Sequence, residues 1–260
     1  MVLKRISEPE YQIEHPAFKD VVFTASSPLP LNTLSHAIAF AQEKGGILES
    51  ARESAAFRIE AKRQDEANTL RVTRTAVAYF KDDDTWYAAI DDIADPKESI
   101  ILTRGDRGYI AHRDENSWLV PRDDAYLCGI LKRAERTDRI APVPQVSPLR
   151  LATQAASGTS PFGENALMRA IFGEDVVEAY ARFLHNCNRD IACSQFLTPE
   201  ELERLDIGRT KTEIRLVVLG NNPICDVYAM PCDYFYIEAP RSLNDIRARG
   251  VRFLATEQPH

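Results

Sequence analysis

The sequence predicts an α+β fold: an antiparallel β-meander with flanking helices, followed by a smaller α+β C-terminal region. Residues 47–120 carry short runs of Val, Ile, Tyr, Trp and Thr between polar turns, a spacing typical of hairpins rather than βαβ units. Helical periodicity brackets these runs at 31–44 and 125–140. Both patterns return after residue 162, which extends the α+β prediction to the rest of the chain.

The chain is long enough for one large or two small domains. It has 260 residues, and a typical domain has roughly 100–200. Residues 141–161 contain four prolines and many small residues, which is the composition of a linker. We therefore predict a helix-plus-meander domain over 1–140, a linker over 141–161 and an α+β domain over 162–260.

The elements of the first domain follow from local patterns. Helical spacing over 31–44 ends at the Gly45-Gly46 pair, because glycine accepts the left-handed conformation that often ends a helix. A second helix is predicted over 125–140. The strands of the meander share β-branched and aromatic residues between polar turns, and they are predicted at 55–63, 70–80, 86–90, 99–103, 109–113 and 118–120.

The second domain mixes helices and strands again. A helical pattern covers 164–186, with Gly173 as a point where it can break. Thr198, Pro199 and Glu201 predict a helix start, in which Thr198 caps the helix and Glu201 completes a capping box. The remaining elements are two strands, a short helix and a last strand, predicted at 213–219, 226–238, 242–249 and 251–255.

Two stretches of the meander resemble each other. Residues 77–92 align with residues 109–124, so that Trp86 matches Trp118 and two acidic turns coincide. Each stretch predicts a hairpin in which a strand, an acidic turn and a second strand opened by tryptophan follow one another. Binding energy at interfaces concentrates on residues such as Trp. The duplicated hairpins therefore predict a protein-interaction function, although the same positions suit a core equally well.

The charge balance disfavours some classes of partner. The formal net charge is −7 and the isoelectric point is near 5.4, which weighs against broad, non-specific binding to nucleic acid or to an anionic membrane. The first residues do not form a secretory signal, and no apolar run reaches the roughly 18–20 residues of a membrane helix. We expect a cytoplasmic protein whose five cysteines are reduced thiols.

One short motif predicts catalysis. On the predicted strand 55–63, Glu60 and Lys62 share a face, as the acid and the lysine of the PD-(D/E)xK nuclease pattern do. Glu60 with Glu49 or Glu53 would bind Mg²⁺, and Lys62 would position the attacking water or steady phosphate charge. The motif predicts a Mg²⁺-dependent nuclease or phosphodiesterase acting on DNA. The alternative is a solvated strand face on which charged residues alternate with buried apolar ones.

A basic stripe on the predicted helix 125–140 would serve the same activity. Lys132, Arg136 and Arg139 recur at helical spacing, and Arg133 lies beside them in sequence. These four residues are candidate contacts to nucleic acid. Acidic residues are interleaved with them, however, and mixed charge is typical of an ordinary soluble surface.

The cysteines of the second domain are candidate metal ligands. His185 and Cys187 lie close together, followed by Cys193, Cys225 and Cys232. Their spacing does not match the tight pairs of zinc sites, and buried thiols explain it better. Whether these cysteines bind a metal stays open at this point.

Two functions remain after these observations. The chain lacks the glycine-rich phosphate-binding loops and the HExxH and GxSxG motifs. One function is the Mg²⁺-dependent nuclease with DNA as partner. The other is a non-enzymatic protein-interaction protein, binding or regulatory, that uses the duplicated Trp hairpins. A homodimer is compatible with either.

Overall fold

The computed structural model describes most of the chain, in the ranges 3–7, 10–27, 34–61, 71–93, 100–102, 119–121, 124–144, 160–186, 190–192, 198–204, 214–221, 234–238 and 248–254. Within these ranges the backbone forms two largely antiparallel sheets and seven α-helices. This confirms the predicted α+β class. None of the helices in these ranges has the length and apolar character needed to cross a membrane.

Sheet one brings the two ends of the described chain together. Its strands are β1 (Leu3–Ser7), β2 (Glu10–Ile13), β3 (Val21–Ser26), β4 (Ile47–Leu48) and β13 (Arg249–Phe253). They pair in the order β1-β2-β3-β13-β4, and every neighbouring pair is antiparallel. The last strand, β13, therefore lies between β3 and β4.

Sheet two is built around a long central hairpin. The strands of its main path are β5 (Arg71–Asp82), β6 (Thr85–Asp92), β9 (Ile140–Pro142), β10 (Asp190–Ala192), β11 (Ile214–Asn221) and β12 (Tyr234–Glu238). They pair in the order β10-β12-β11-β5-β6-β9, and among the described pairs only β10 and β12 are parallel. β7 (Ile100–Leu102) pairs with β8 (Leu119–Pro121), which in turn pairs with β11.

The helices cover both faces of the central hairpin. In the described ranges they are α1 (Leu34–Glu43), α2 (Ala51–Ala61), α3 (Asp124–Arg136), α4 (Pro161–Glu164), α5 (Ala166–Phe172), α6 (Glu174–Asn186) and α7 (Pro199–Arg204). The break predicted in the helix 164–186 is confirmed at Gly173, which follows α5 with φ +80°. The predicted capping box before α7 is confirmed by reciprocal hydrogen bonds between Thr198 and Glu201.

The first Trp hairpin is also confirmed. β5 and β6 pair antiparallel from Thr75–Asp92 to Asp82–Thr85. Asp83 turns the chain with φ +50°, a conformation that Asp tolerates better than most residues. Trp86 is only 5% exposed. Of the second hairpin, the residues before β8 lie outside the described ranges, so the duplication stays a prediction.

The strand predicted at 55–63 is wrong for its described part, because residues 55–61 belong to α2. Ser50 and Glu53 form a capping box: the Ser50 N–H donates to Glu53 Oε2 at 2.6 Å, and the Glu53 N–H donates to Ser50 Oγ at 3.2 Å. A capping box of this kind starts a helix. The apolar and charged residues after Ala55 alternate in a way that fits the period of a strand as well as that of a helix. Glu60 therefore lies on a helix, and because Lys62 lies outside the described ranges, the shared face of Glu60 and Lys62 stays a prediction.

Two apolar clusters lie on opposite faces of β5. Val77 and Tyr79 belong to the cluster that contains α2, α5 and α6, whereas Ala76 and Ala78 belong to the cluster that contains α1 and α3. The alternation follows from the period of two in a strand. Because the first cluster also includes Phe162 and Tyr180, residues on both sides of the predicted linker share one core. The division into domains itself stays a prediction.

Replacing Gly46 by alanine is expected to lower the free energy of unfolding by about 1–3 kcal/mol, the usual cost of overpacking. A Cβ at this position would lie 2.4 Å from the carbonyl oxygen of Val251, which is main chain of β13 and cannot move without disturbing sheet one. Urea unfolding measures the change.

Gly129→Ala is the matched control for Gly46. Its added Cβ meets only the flexible end of Arg133, at 3.2 Å, and alanine favours helix. Gly129→Ala should therefore be neutral or stabilising. Equal stability of the Gly46→Ala variant and the parent protein would show that β13 does not sit as closely against β4 as described.

Candidate functional site

Two of the acids predicted to bind a metal, Glu49 and Glu53, belong to a buried ion network around the start of α2. Glu49 precedes this helix, Glu53 lies on its first turn and Glu60 near its end, and each is at most 5% exposed. We define the ion network by the residues that are linked through ion pairs or hydrogen bonds in this region: Glu49, Glu53, Arg71, Arg74, Asp92, Arg139 and Arg249.

Glu49 contacts arginines of both sheets. Its Oε1 lies 3.8 Å from Arg71 Nη1 on β5, and its Oε2 lies 3.7 Å from Arg249 Nη1 on β13. The hydroxyl of Ser54 donates a 2.9 Å hydrogen bond to Oε1. Since the three charged side chains are at most 1% exposed, water does not screen their attraction as it does at a surface.

Glu53 connects α2 to β5. Arg74 Nη2 donates to Glu53 Oε1 at 2.9 Å, and both side chains are buried. Burial raises the pKa of the Glu53 carboxyl; Arg74 and the hydrogen bonds from Ser50 act in the opposite direction without cancelling it. Folding thus places this carboxylate where its charge is costly and a guanidinium partner is needed.

Asp92, at the end of β6, is held by two elements. Arg139 Nη1 donates to its Oδ2 at 2.7 Å, and the hydroxyl of Thr75 donates to its Oδ1. Burial raises the pKa of Asp92, but Arg139, Arg74 and these hydrogen bonds outweigh it, so the pKa lies below its ordinary value of 3.8. Arg139 also donates to the carbonyl oxygens of Ala170 and Ile171, which ties β6 to the end of α5.

Aromatic rings border the ion network. The guanidinium of Arg249 lies 3.5 Å from the centroid of the Phe57 ring, and both residues are buried. Arg58, also on α2, donates from Nη1 to the Tyr180 hydroxyl at 3.4 Å on α6. Such ring contacts stabilise a guanidinium that has lost its water. The arrangement as a whole holds α2 against both sheets.

The described residues do not supply a metal centre. Within these ranges, His, Cys, Asp and Glu side chains nowhere form a group of three that could hold a metal ion. Glu49 and Glu53 face arginines instead, and Lys62 lies outside the described ranges. The Mg²⁺ site therefore stays a prediction, and the geometry around these carboxylates is that of a structural ion network.

The residues of the predicted basic stripe differ in their contacts and exposure. Arg133 donates to Asp91 on β6, with a shortest distance of 2.7 Å, while its side chain stays 42% exposed. Arg139 belongs to the ion network, and Lys132 and Arg136 are exposed on α3. Contact of these four residues with nucleic acid stays a prediction.

The cysteine prediction falls mostly outside the described ranges. This holds for Cys187, Cys193, Cys225 and Cys232, whereas His185 is exposed near the end of α6. Cys128, which was not singled out in the sequence, is an exposed thiol on α3.

Sequence reasoning missed the arginines that complete the ion network. Arg71 and Arg74 stand in the central strand β5, where all residues from Arg71 to Tyr79 are buried. The signal was the run RVTRT, because polar side chains at the start of an otherwise apolar strand need partners. The Ser50-to-Glu53 capping box was a second signal, since it places Glu53 at a helix start.

Comparison with known proteins identifies the fold. No family model and no curated protein matches the chain. One solved structure, described as showing "accommodation of massive sequence variation in Nanoarchaeota by the C-type lectin fold", is similar with a TM-score of 0.57 and 14% sequence identity, over 88% of this chain and 98% of that chain. The chain has a C-type lectin-like fold. At this identity the likeness concerns the fold alone.

Proposed function

We propose that this protein is a non-enzymatic protein-binding protein that uses the C-type lectin fold as its scaffold. The observation that supports it most directly is the likeness over 88% of the chain to a structure in which that fold accommodates massive sequence variation. A fold that keeps its frame while its sequence varies is suited to present different surfaces to partners.

The buried ion network is consistent with a scaffold. It fixes α2 between the two sheets through charged contacts that are removed from solvent. A rigid frame lowers the entropic cost of binding, because fewer groups must be ordered when a partner arrives.

We assign the binding residues to the predicted second Trp hairpin, residues 109–124. Trp86 of the first hairpin is not available as an anchor, since its indole N–H donates to Glu203 Oε1 at 3.1 Å and the ring is 5% exposed. The second hairpin carries Tyr109, Arg113 and Trp118, three residue types in which interface energy concentrates.

A binding experiment with a matched control tests the proposal. The purified chain is used to capture partners from an extract of its source cells, and each captured protein is then purified and titrated against the chain by calorimetry. We expect a protein partner whose affinity falls at least about tenfold in the Arg113→Ser, Trp118→Ser variant. The control variant Lys132→Ser, Arg136→Ser changes two exposed residues of α3 and should bind as the parent chain does.

Two outcomes would contradict the proposal. In one, no purified protein binds the chain, or the partner binds all variants equally. In the other, the chain nicks supercoiled DNA in the presence of Mg²⁺ and loses this activity on Lys62→Ala, which would favour the nuclease instead.

A further inference from the structure

Glu49 is a residue through which sheet one and sheet two are connected. Its backbone N–H donates to the carbonyl oxygen of Arg249 on β13 at 3.1 Å, and its own carbonyl oxygen accepts from the N–H of Arg74 on β5 at 3.0 Å. Its carboxylate reaches the same two strands, through Arg249 and Arg71. Both the main chain and the side chain of Glu49 thus connect the two sheets.

The contacts continue from Glu49 into α2 and sheet two. The N–H of Ala51, the first residue of α2, donates to Thr75 Oγ1 at 2.8 Å, and the Thr75 hydroxyl donates in turn to Asp92 on β6. The hydroxyl of Ser54, in the first turn of α2, donates to the Glu49 carboxylate. A displacement of Glu49 would therefore disturb the helix start and the central hairpin together.

Within sheet one, β13 is held in place by hydrogen bonds to the side chains of Thr24 and Ser27. The N–H of Ala248 donates to Ser27 Oγ at 3.2 Å, and the N–H of Gly250 donates to Thr24 Oγ1 at 3.0 Å. Arg249 reaches from this strand to the ring of Phe57 on α2. If β13 left its place, Glu49 would lose one of its two guanidinium partners while still buried, which is costly in a low-dielectric interior.

We propose that Glu49 couples the two sheets, so that β13 and the first turn of α2 open and close as one unit. A ligand or partner that favours a shifted β13 would then shift the start of α2 and β5 as well, and the coupling is reciprocal. The coupling arises from the ion network and does not depend on what the protein binds.

Native-state hydrogen exchange tests the coupling at individual amides. Ala248 and Gly250 report on β13, and Ala51 and Arg74 report on α2 and β5. In the parent chain we expect one opening free energy for both pairs of reporters and the same dependence on low urea. In Glu49→Gln, both pairs should lose protection by the same factor, about tenfold or more, since a hydrogen-bonded charge is replaced.

Glu10→Gln is the matched comparison. Glu10 on β2 accepts from Arg252 of β13 at 2.7 Å, so this variant weakens β13 without changing Glu49. If the two regions open as one unit, Glu10→Gln should lower protection at both pairs of reporters by the same factor, whereas in the Glu49→Gln background it should lower protection at Ala248 and Gly250 alone. Loss of protection at only one pair, on Glu49→Gln or on Glu10→Gln alone, would overturn the coupling. If Glu49→Gln does not fold, the urea series on the parent chain decides, because different opening free energies for the two pairs contradict the proposal and coincident ones support it.

Discussion

Replacing Phe57 by alanine is expected to lower the free energy of unfolding by about 3–5 kcal/mol, the range for deleting a large buried side chain. The ring is 2% exposed and packs 5.1 Å from the Phe23 ring and 5.8 Å from the Tyr11 ring, measured between centroids. It also lies against the guanidinium of Arg249. The substitution therefore opens a cavity and removes the surface on which a buried cation rests. Urea unfolding followed by circular dichroism gives the change.

Phe253→Ala is the control for this prediction. Phe253 is 57% exposed at the end of β13, so its truncation removes little buried surface and should change stability by less than about 0.5 kcal/mol. Similar losses in the two variants would mean that Phe57 does not occupy the centre of the core.

The second large effect is expected from Asp92→Asn, which should lower the free energy of unfolding by about 3 kcal/mol at pH 7. The side chains of Asp92 and Arg139 are 22% and 19% exposed, and losing a charged hydrogen-bonding partner that is largely shielded from water costs roughly this much. Here Arg139 would keep its contacts to the end of α5 without its carboxylate partner. Stability is again measured by urea unfolding.

The pH profile identifies the charge of Asp92 as the cause. The Asp92 pKa is lower in the folded chain than its ordinary value of 3.8, so the folded chain binds fewer protons at this group. Its stabilising contribution is present above pH 3.8 and is lost as the pH falls through the folded pKa. The difference in the free energy of unfolding between the parent chain and Asp92→Asn should therefore shrink below pH 3.8.

Asp175→Asn gives the comparison for an exposed pair. Asp175 contacts Arg52, and both side chains are more than one third exposed, so water and salt screen the pair and the loss should stay within about 1 kcal/mol. If the difference in the free energy of unfolding between the parent chain and Asp92→Asn stays the same at pH 2, Asp92 acts through packing rather than through its charge.

These charged contacts bear on the choice between the two predicted functions. Glu49 and Glu53 are predicted metal ligands, and the structure places both beside arginines in the interior. A carboxylate engaged in this way stabilises the scaffold, whereas a catalytic one must meet substrate. Binding through surface residues is therefore the better supported proposal, and the nuclease stays a prediction that the Mg²⁺ assay addresses.

Local patterns predicted local structure well. The β5–β6 hairpin, the end of α1 near Gly45, the break at Gly173 and the capping box at Thr198 all follow from residues that are neighbours in sequence. The prediction failed at α2, where a short stretch with alternating charges fits a strand as well as a helix. The cap at Ser50 decides for the helix, and its partner Glu53 was interpreted only as a metal ligand.

The sequence by itself determined the α+β class, most of the local elements and the acidic character of the chain, because propensities, turns and caps depend on residues a few positions apart. Only the tertiary structure decided that β13 enters sheet one between β3 and β4, and that Glu49 meets Arg71 and Arg249. Those contacts join residues up to 232 positions apart in sequence. Which acid meets which arginine depends on how the sheets pack, and no local pattern encodes it.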